Sequence, residues 1–386
     1  MLRKRPILID AALLTACVFL FIFLVSVLFP IKLKVFHPIK DAFSDFDYTD
    51  FYFSKLKKEP EVSADIVVVN IGHLNRAEIA HQIEVIHSFQ PKVVGLDAIF
   101  TEPKDSLSDA LLADVLRQHA VVGISKMHEH DMIQSLDRFQ FRTSGYANLY
   151  GEEEPTKVIR SFAAMTKVDT SWIKSFTAQM LVNAHPDGEV TLPHGEQKIN
   201  YRSSESFITL QPYELFDPEF DGSLLNGKFV LMGFTGSPEN PYDVEDQHFT
   251  PMNVKMAGKS LPDMKGIYIH ASILQSLIHQ DYIRMGSPVV EWFLTILFTF
   301  LTAWLIIHYY VHRARWFHLM SKLVQLFAGV IFLFVSIWIM HVYHVKLNFT
   351  MLFVALVLCA DLVYFYDPIA KWLHKRNWFH SEILKH

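Results

Sequence analysis

Two carboxylates held close together can share a proton, hold a cation or order a loop. Asp97 and Glu102 are such a pair, following Val93 to Leu96 in "KVVGLDAIFTEP". A buried parallel strand that ends in an acid presents it at the carboxyl edge of the sheet, where open α/β sheets bind ligands. The competing reading is that both acids orient a loop or cap backbone N–H groups. Asn70 and His73 stand after another apolar run in "IVVVNIGHLNR", and Gly233–Ser237 ("GFTGS") follow a further one. Such a glycine-rich loop either binds an anion through its N–H groups or makes a tight turn. His270 in "GIYIHAS" suits an anion at a helix N-terminus, or a buried, hydrogen-bonded imidazole. Asp246 and His248 in "EDQHFTP" are spaced to pair.

Imidazole and carboxylate also gather in "MHEHDM", with His128 and His130 as metal-ligand candidates. Two histidines fall short of the three or four ligands that zinc needs, so exposed loop polarity explains them as well. Signatures for a serine hydrolase, a zincin, a nucleotide-binding P-loop or a redox dithiol are missing. No enzyme activity, cofactor or firm metal site is therefore expected.

These residues must be positioned by a chain of 386 residues that is 51% hydrophobic. Four apolar runs are long enough to cross a bilayer: residues 7–29, 287–309, 323–343 and 349–366. Basic residues concentrate before the first run, in 310–322 and in 367–386. Cytoplasmic flanks attract Lys and Arg, so both termini are expected inside, with 344–348 a short outer loop and 30–286 an outer domain. Residues 32–285 carry 24 basic and 35 acidic residues, a net of −11, against 11 basic and 5 acidic elsewhere. That balance argues against nucleic acid as a partner. "LLTAC", ending at Cys17, resembles a lipidation site, but the apolar residues after it favour an uncleaved signal anchor.

Charges inside such spans are costly. Asp361 in the fourth is expected to face His308 and Arg313 within the bundle, as a polar switch, with snorkelling to the interface as the alternative. Asp10 is expected at an interface.

In the outer domain, Ser63–Ile71, Lys92–Phe100 and Val121–Ser125 read as strands, separated by two amphipathic helices. Asn75 and Glu78 are a capping-box pair. Crossovers of this length make the strands parallel. "GKFVLMGFTG" adds a strand, "ITLQPYELF" a short helix, "GIYIHASILQSLIHQ" an extended start continuing as a helix, and 127–205 antiparallel strands. The fold class expected is α/β with a mostly parallel sheet, plus four transmembrane helices.

Taken in order, "IVVVNIG", "KVVGLDAIFTEP", "INYR", "GKFVLMGFTG", "HFTP" and "GIYIHASILQSLI" resemble the CHASE type 2 domain family, a sensory module of bacterial receptors. The resemblance spans roughly residues 40–366. It implies an inner-membrane sensor with a periplasmic domain, usually feeding a cytoplasmic output module. Two departures stand out. Only about 20 residues follow the fourth run, too few for an output domain. Asn70 and His73 replace an acidic pair that the family often carries there. Ligand contacts are thus expected from Asn70, His73, Asp97, Glu102, Asp246 and His270. The expected partners are the lipid bilayer and a separate membrane or cytoplasmic protein supplying the output, with self-association a further option. The alternative is a structural subunit of a cell-envelope complex that senses nothing.

Overall fold

The computed structural model describes residues 5–28, 48–57, 62–128, 131–150, 157–168, 170–237, 243–253, 261–312 and 316–376. Two compact units make up the chain: Met1–Asp41 with Arg284–His386, and Ala42–Ile283. The principal helices are α1 (Arg5–Leu28), α2 (Arg76–Ser88), α3 (Ser106–Gln118), α4 (Phe176–Asn183), α5 (Gly266–His279), α6 (Pro288–His312), α7 (Phe317–Tyr343) and α8 (Thr350–Lys375). Helices α2–α5 belong to the globular unit, and α1 with α6–α8 to the helical one.

The globular unit is built on strands β1 (Ile66–Asn70), β2 (Val93–Leu96), β3 (Val121–His128), β4 (Asp131–Ile133), β5 (Thr143–Tyr146), β6 (Ile208–Leu210) and β7 (Phe229–Gly233). Their order is β6-β1-β7-β2-β3, with β4 and β5 both paired to β3. Every pairing is parallel except β3 with β4. Every residue of β1, β2 and β7 is buried, as a sheet covered on both faces requires. Val67, Val69 and Val94 pack with Ile83 and Ile86 of α2 and with Leu112 and Leu116 of α3. On the opposite face Gly95 lies against Met180 and Phe176 of α4, and Gly233 against Ile267 of α5.

The capping box forms as its sequence dictates. Asn75 Oδ1 accepts from the N–H groups of Ala77 and Glu78, and Glu78 Oε2 accepts from Asn75 N–H. Strands β1, β2 and β3 are parallel, as expected, with β7 inserted between β1 and β2. Two expectations are corrected. "ITLQPYELF" is a strand, β6, followed by the helical turn Pro212–Leu215, not a helix throughout. Helix α5 has no extended start and begins at Gly266. The antiparallel additions are β4, the pair Ser161–Ala163 with Glu196–Lys198, and the hairpin Met165–Val168 with Ser171–Lys174.

The helical unit holds four helices long and apolar enough to cross a membrane. They outrun the apolar stretches: α6 reaches His312, α7 starts at Phe317 and α8 continues through Pro368 to Lys375. Ala11 of α1, Ala303 of α6, and Ala355 and Cys359 of α8 are all fully buried. Small side chains of this kind let helices approach closely in lipid. Among the described residues Asp361 does not meet His308, and Arg313 lies outside them. The Asp361 side chain is 63% exposed and pairs with Lys322 of α7 at 3.6 Å. The His308 ring stacks on His312 at 4.5 Å. The buried acid is Asp10 instead, which accepts from the Tyr366 hydroxyl at 2.6 Å. A parallel pair, Arg284–Met285 with Val345–Lys346, ties the start of α6 to the α7–α8 turn. Arg284 N–H donates to His344 O at 2.8 Å and Gly286 N–H to Lys346 O at 2.7 Å.

Candidate functional site

The chain leaving β1 enters α2 on one face of the sheet, and the chain leaving β7 reaches α5 on the other. Adjacent strands whose connections part in this way leave a crevice at their carboxyl ends. A cleft of about 500 Å³ opens there. Gln211 and Tyr213, which follow β6, form one wall, and Thr235 and Ser237, which follow β7, form another. Asp243, Asp263, Lys265 and Tyr268 complete it.

Asn70 holds these loops together from below. Its Nδ2 donates to Gln211 Oε1 at 2.8 Å and to Gly236 O at 3.0 Å. Its Oδ1 accepts from Gly72 N–H at 2.9 Å and Thr235 N–H at 3.0 Å. Two donations and two acceptances are what an amide can offer and a carboxylate cannot. Asn70 therefore organises the cleft and has no valence left for a ligand. Gly236, at φ +108, takes a backbone conformation closed to side-chain-bearing residues without strain.

Lys265 is buried, with its ammonium on the carbonyls of Asp243 (3.1 Å) and Glu245 (2.5 Å) and over the Phe234 ring at 4.8 Å. Tyr268 shares a hydrogen bond with Thr209 at 3.0 Å, and burial raises its phenol pKa. Asp263 accepts from Thr250 N–H at 2.8 Å and Thr250 O–H at 2.5 Å, yet burial outweighs these bonds and pushes its carboxyl up to about 6. Folding thus favours the protonated acid. Its stabilising contribution is complete below pH ~4 and is lost as pH rises through about 6. Asp263→Asn is expected to flatten that part of the stability profile, as read by thermal unfolding between pH 4 and 7. Parallel profiles for the two proteins would refute the assignment.

The other candidates are dispersed around this edge. Asp246 accepts from Gly266 N–H at 3.1 Å through both its backbone and its carboxylate oxygen, and pairs with His248 at 3.2 Å. It caps α5, so that helix N-terminus already has its carboxylate. His270 lies buried in the first turns of α5, edge-on to Phe176 at 5.5 Å, with Nε2 4.0 Å from Asp97 Oδ2. Of the two readings offered for it, this burial matches that of a buried imidazole. Glu102 parts from Asp97: its carbonyl accepts from Arg76 Nη2 at 2.6 Å and its side chain is exposed. Arg76 is the latch of that loop. It is buried against Asp109 at 2.5 Å, with Phe100 and Phe139 rings at 5.2 and 5.0 Å. His73 is exposed at the rim, its ring 5.3 Å from that of Phe234. His128 ends β3 opposite Asp131, and His130 lies outside the described residues.

Sequence reasoning missed Gln211, Asp263 and Lys265, and also a clamp at the ends of the globular unit. Asp50 is bound by Arg160 through Nε at 2.9 Å and Nη2 at 2.7 Å. Lys57 Nζ donates to Asn200 Oδ1 and Tyr201 O, both at 2.6 Å. Burial, reinforced by Arg202 and opposed by Asp281, lowers its ammonium pKa to about 7. Lys198 and Ile283 exchange both backbone hydrogen bonds at 2.9 Å, and Arg202 pairs with Asp281 at 3.3 Å. The first and last segments of the unit are thus gripped by the same stretch, 198–202, which contains the "INYR" motif.

A family model described as the CHASE2 domain matches residues 21–308. No curated protein and no solved structure matches the chain.

Proposed function

The chain belongs to the CHASE2 domain family, and from that premise we propose that it is a bacterial inner-membrane sensor that binds a small, polar, hydrogen-bonding ligand. The ligand occupies the cleft at the carboxyl ends of β1, β6 and β7. The globular unit lies on the periplasmic side, both termini are cytoplasmic, and the chain performs no catalysis of its own. Binding is relayed through α1 and α6 to a separate protein that supplies the output.

The observation that carries this reading is the cleft of about 500 Å³ at the strand-order switch, a volume in the range of small-molecule sites. Its walls offer an amide, Gln211, and the hydroxyls of Tyr213, Thr235, Ser237 and Tyr268. The 198–202 clamp supports the relay, since it touches both segments that lead toward the helical unit. A ligand drives such a relay only by binding two arrangements with different affinity.

The test is thermal unfolding of the full chain in detergent against amino acids, sugars and nucleosides. A ligand present at 100 times its Kd is expected to stabilise by about 2.7 kcal/mol. Ser237→Trp, which fills the cleft, and Tyr213→Ala are expected to abolish the shift. A shift that survives Ser237→Trp would move the site elsewhere. No shift with any compound, together with a stable stoichiometric complex formed without ligand, would replace sensing by scaffolding.

A further inference from the structure

The loop after β1 and the segment before Gln247–His248 meet at the rim of the cleft, where they bring three metal-ligating side chains together. One donor atom each from His73, Asp243 and Glu245 lies within 4.8 Å of the other two. An ion with bonds of about 2.0–2.4 Å separates its ligands by roughly 3–5 Å, so a single ion reaches all three. We propose that His73, Asp243 and Glu245 form a binding site for a divalent ion of the zinc class.

Two further observations support it. The first is that these groups are largely unspent. Among the described residues, the His73 imidazole meets the Phe234 ring alone, and the Glu245 carboxylate has no partner. Asp243 uses Oδ1 to accept from Glu245 N–H at 2.9 Å. The ammonium of Lys265 bonds the carbonyls of Asp243 and Glu245 rather than their carboxylates. The carboxylates themselves are therefore left open to a cation.

The second observation is that the donors are positioned. Phe234 is flanked by the His73 ring at 5.3 Å and the Lys265 ammonium at 4.8 Å. Lys265 in turn fixes the backbone on which both acids stand. An imidazole in the set selects zinc-class ions over magnesium or calcium. Three protein ligands leave a fourth position open to water or to a ligand donor. The site does not depend on the cleft holding a ligand.

The experiment uses untagged full-length protein in detergent, stripped with a chelator. It is titrated with Zn²⁺ by calorimetry and with Co²⁺ by visible absorption. One zinc per chain and a cobalt ligand-field band are expected. His73→Ala and Glu245→Gln, both at exposed positions, are each expected to weaken zinc binding at least tenfold, whereas Tyr213→Ala, which disables the cleft, leaves it unchanged. Absence of zinc binding by the parent protein overturns the site, as does unchanged affinity in His73→Ala and Glu245→Gln.

Discussion

Arg160→Ala is expected to destabilise the globular unit by about 3–5 kcal/mol, the range for breaking a buried ion pair from one side. Asp50 is 7% exposed and receives two parallel hydrogen bonds from the guanidinium. The bidentate geometry makes this one of the strong charge-assisted contacts. Truncating Arg160 strips a desolvated carboxylate of that fork. The loss should be local first: amides of residues 48–57 should exchange with solvent faster than those of β1 or β7. Replacing both members, Asp50→Leu with Arg160→Met, should recover much of the stability, because no charge is then left stranded. Urea unfolding and hydrogen exchange on the full chain give both readouts. A loss below about 1 kcal/mol, the scale of an exposed pair, would show that solvent reaches this contact.

Lys57 should make stability rise with pH on the alkaline side of neutrality. Its folded pKa of about 7 lies below the ordinary lysine value. Between about pH 7 and pH 10 the unfolded chain holds a proton that the folded chain has shed. Stability then climbs by up to about 1.4 kcal/mol per pH unit. Below about pH 7 both states are protonated and the contribution is flat at its minimum. From pH 7 to pH 9 the expected gain is about 2–3 kcal/mol. Lys57→Met should remove it, since a neutral chain of similar length fills the space without titrating. If the two proteins show parallel profiles over that range, the ammonium is solvated and the clamp is looser than its 2.6 Å contacts suggest.

What the sequence disclosed was local. The Asn75–Glu78 capping box, the Asp246–His248 pair and the glycine turn after β7 involve neighbours a few residues apart. Their chemistry is complete within the segment, so pattern and propensity suffice. The insertion of β7 between β1 and β2 is not of that kind, because strand order is set by pairing across more than 130 residues. The directions of the site residues are hidden from the sequence for the same reason. Asp97, Glu102 and His270 are correctly placed along the chain, but their directions depend on Arg76, Phe176 and the α5 face. Lys265 reads as a surface residue until two carbonyls from residues 243 and 245 bury it. The membrane helices teach the same lesson. Asp10 and Asp361 both stand in apolar runs, and it is Asp10 that turns inward, onto the Tyr366 hydroxyl.

The short parallel ribbon between Arg284–Met285 and Val345–Lys346 has a mechanical consequence. A segment hydrogen-bonded on both sides of Met285 to the α7–α8 turn cannot be dragged alone. Force arriving at the head of α6 is divided at once between that helix and the hairpin beside it. A displacement of that one rod is thereby shared with the two rods of the hairpin beside it.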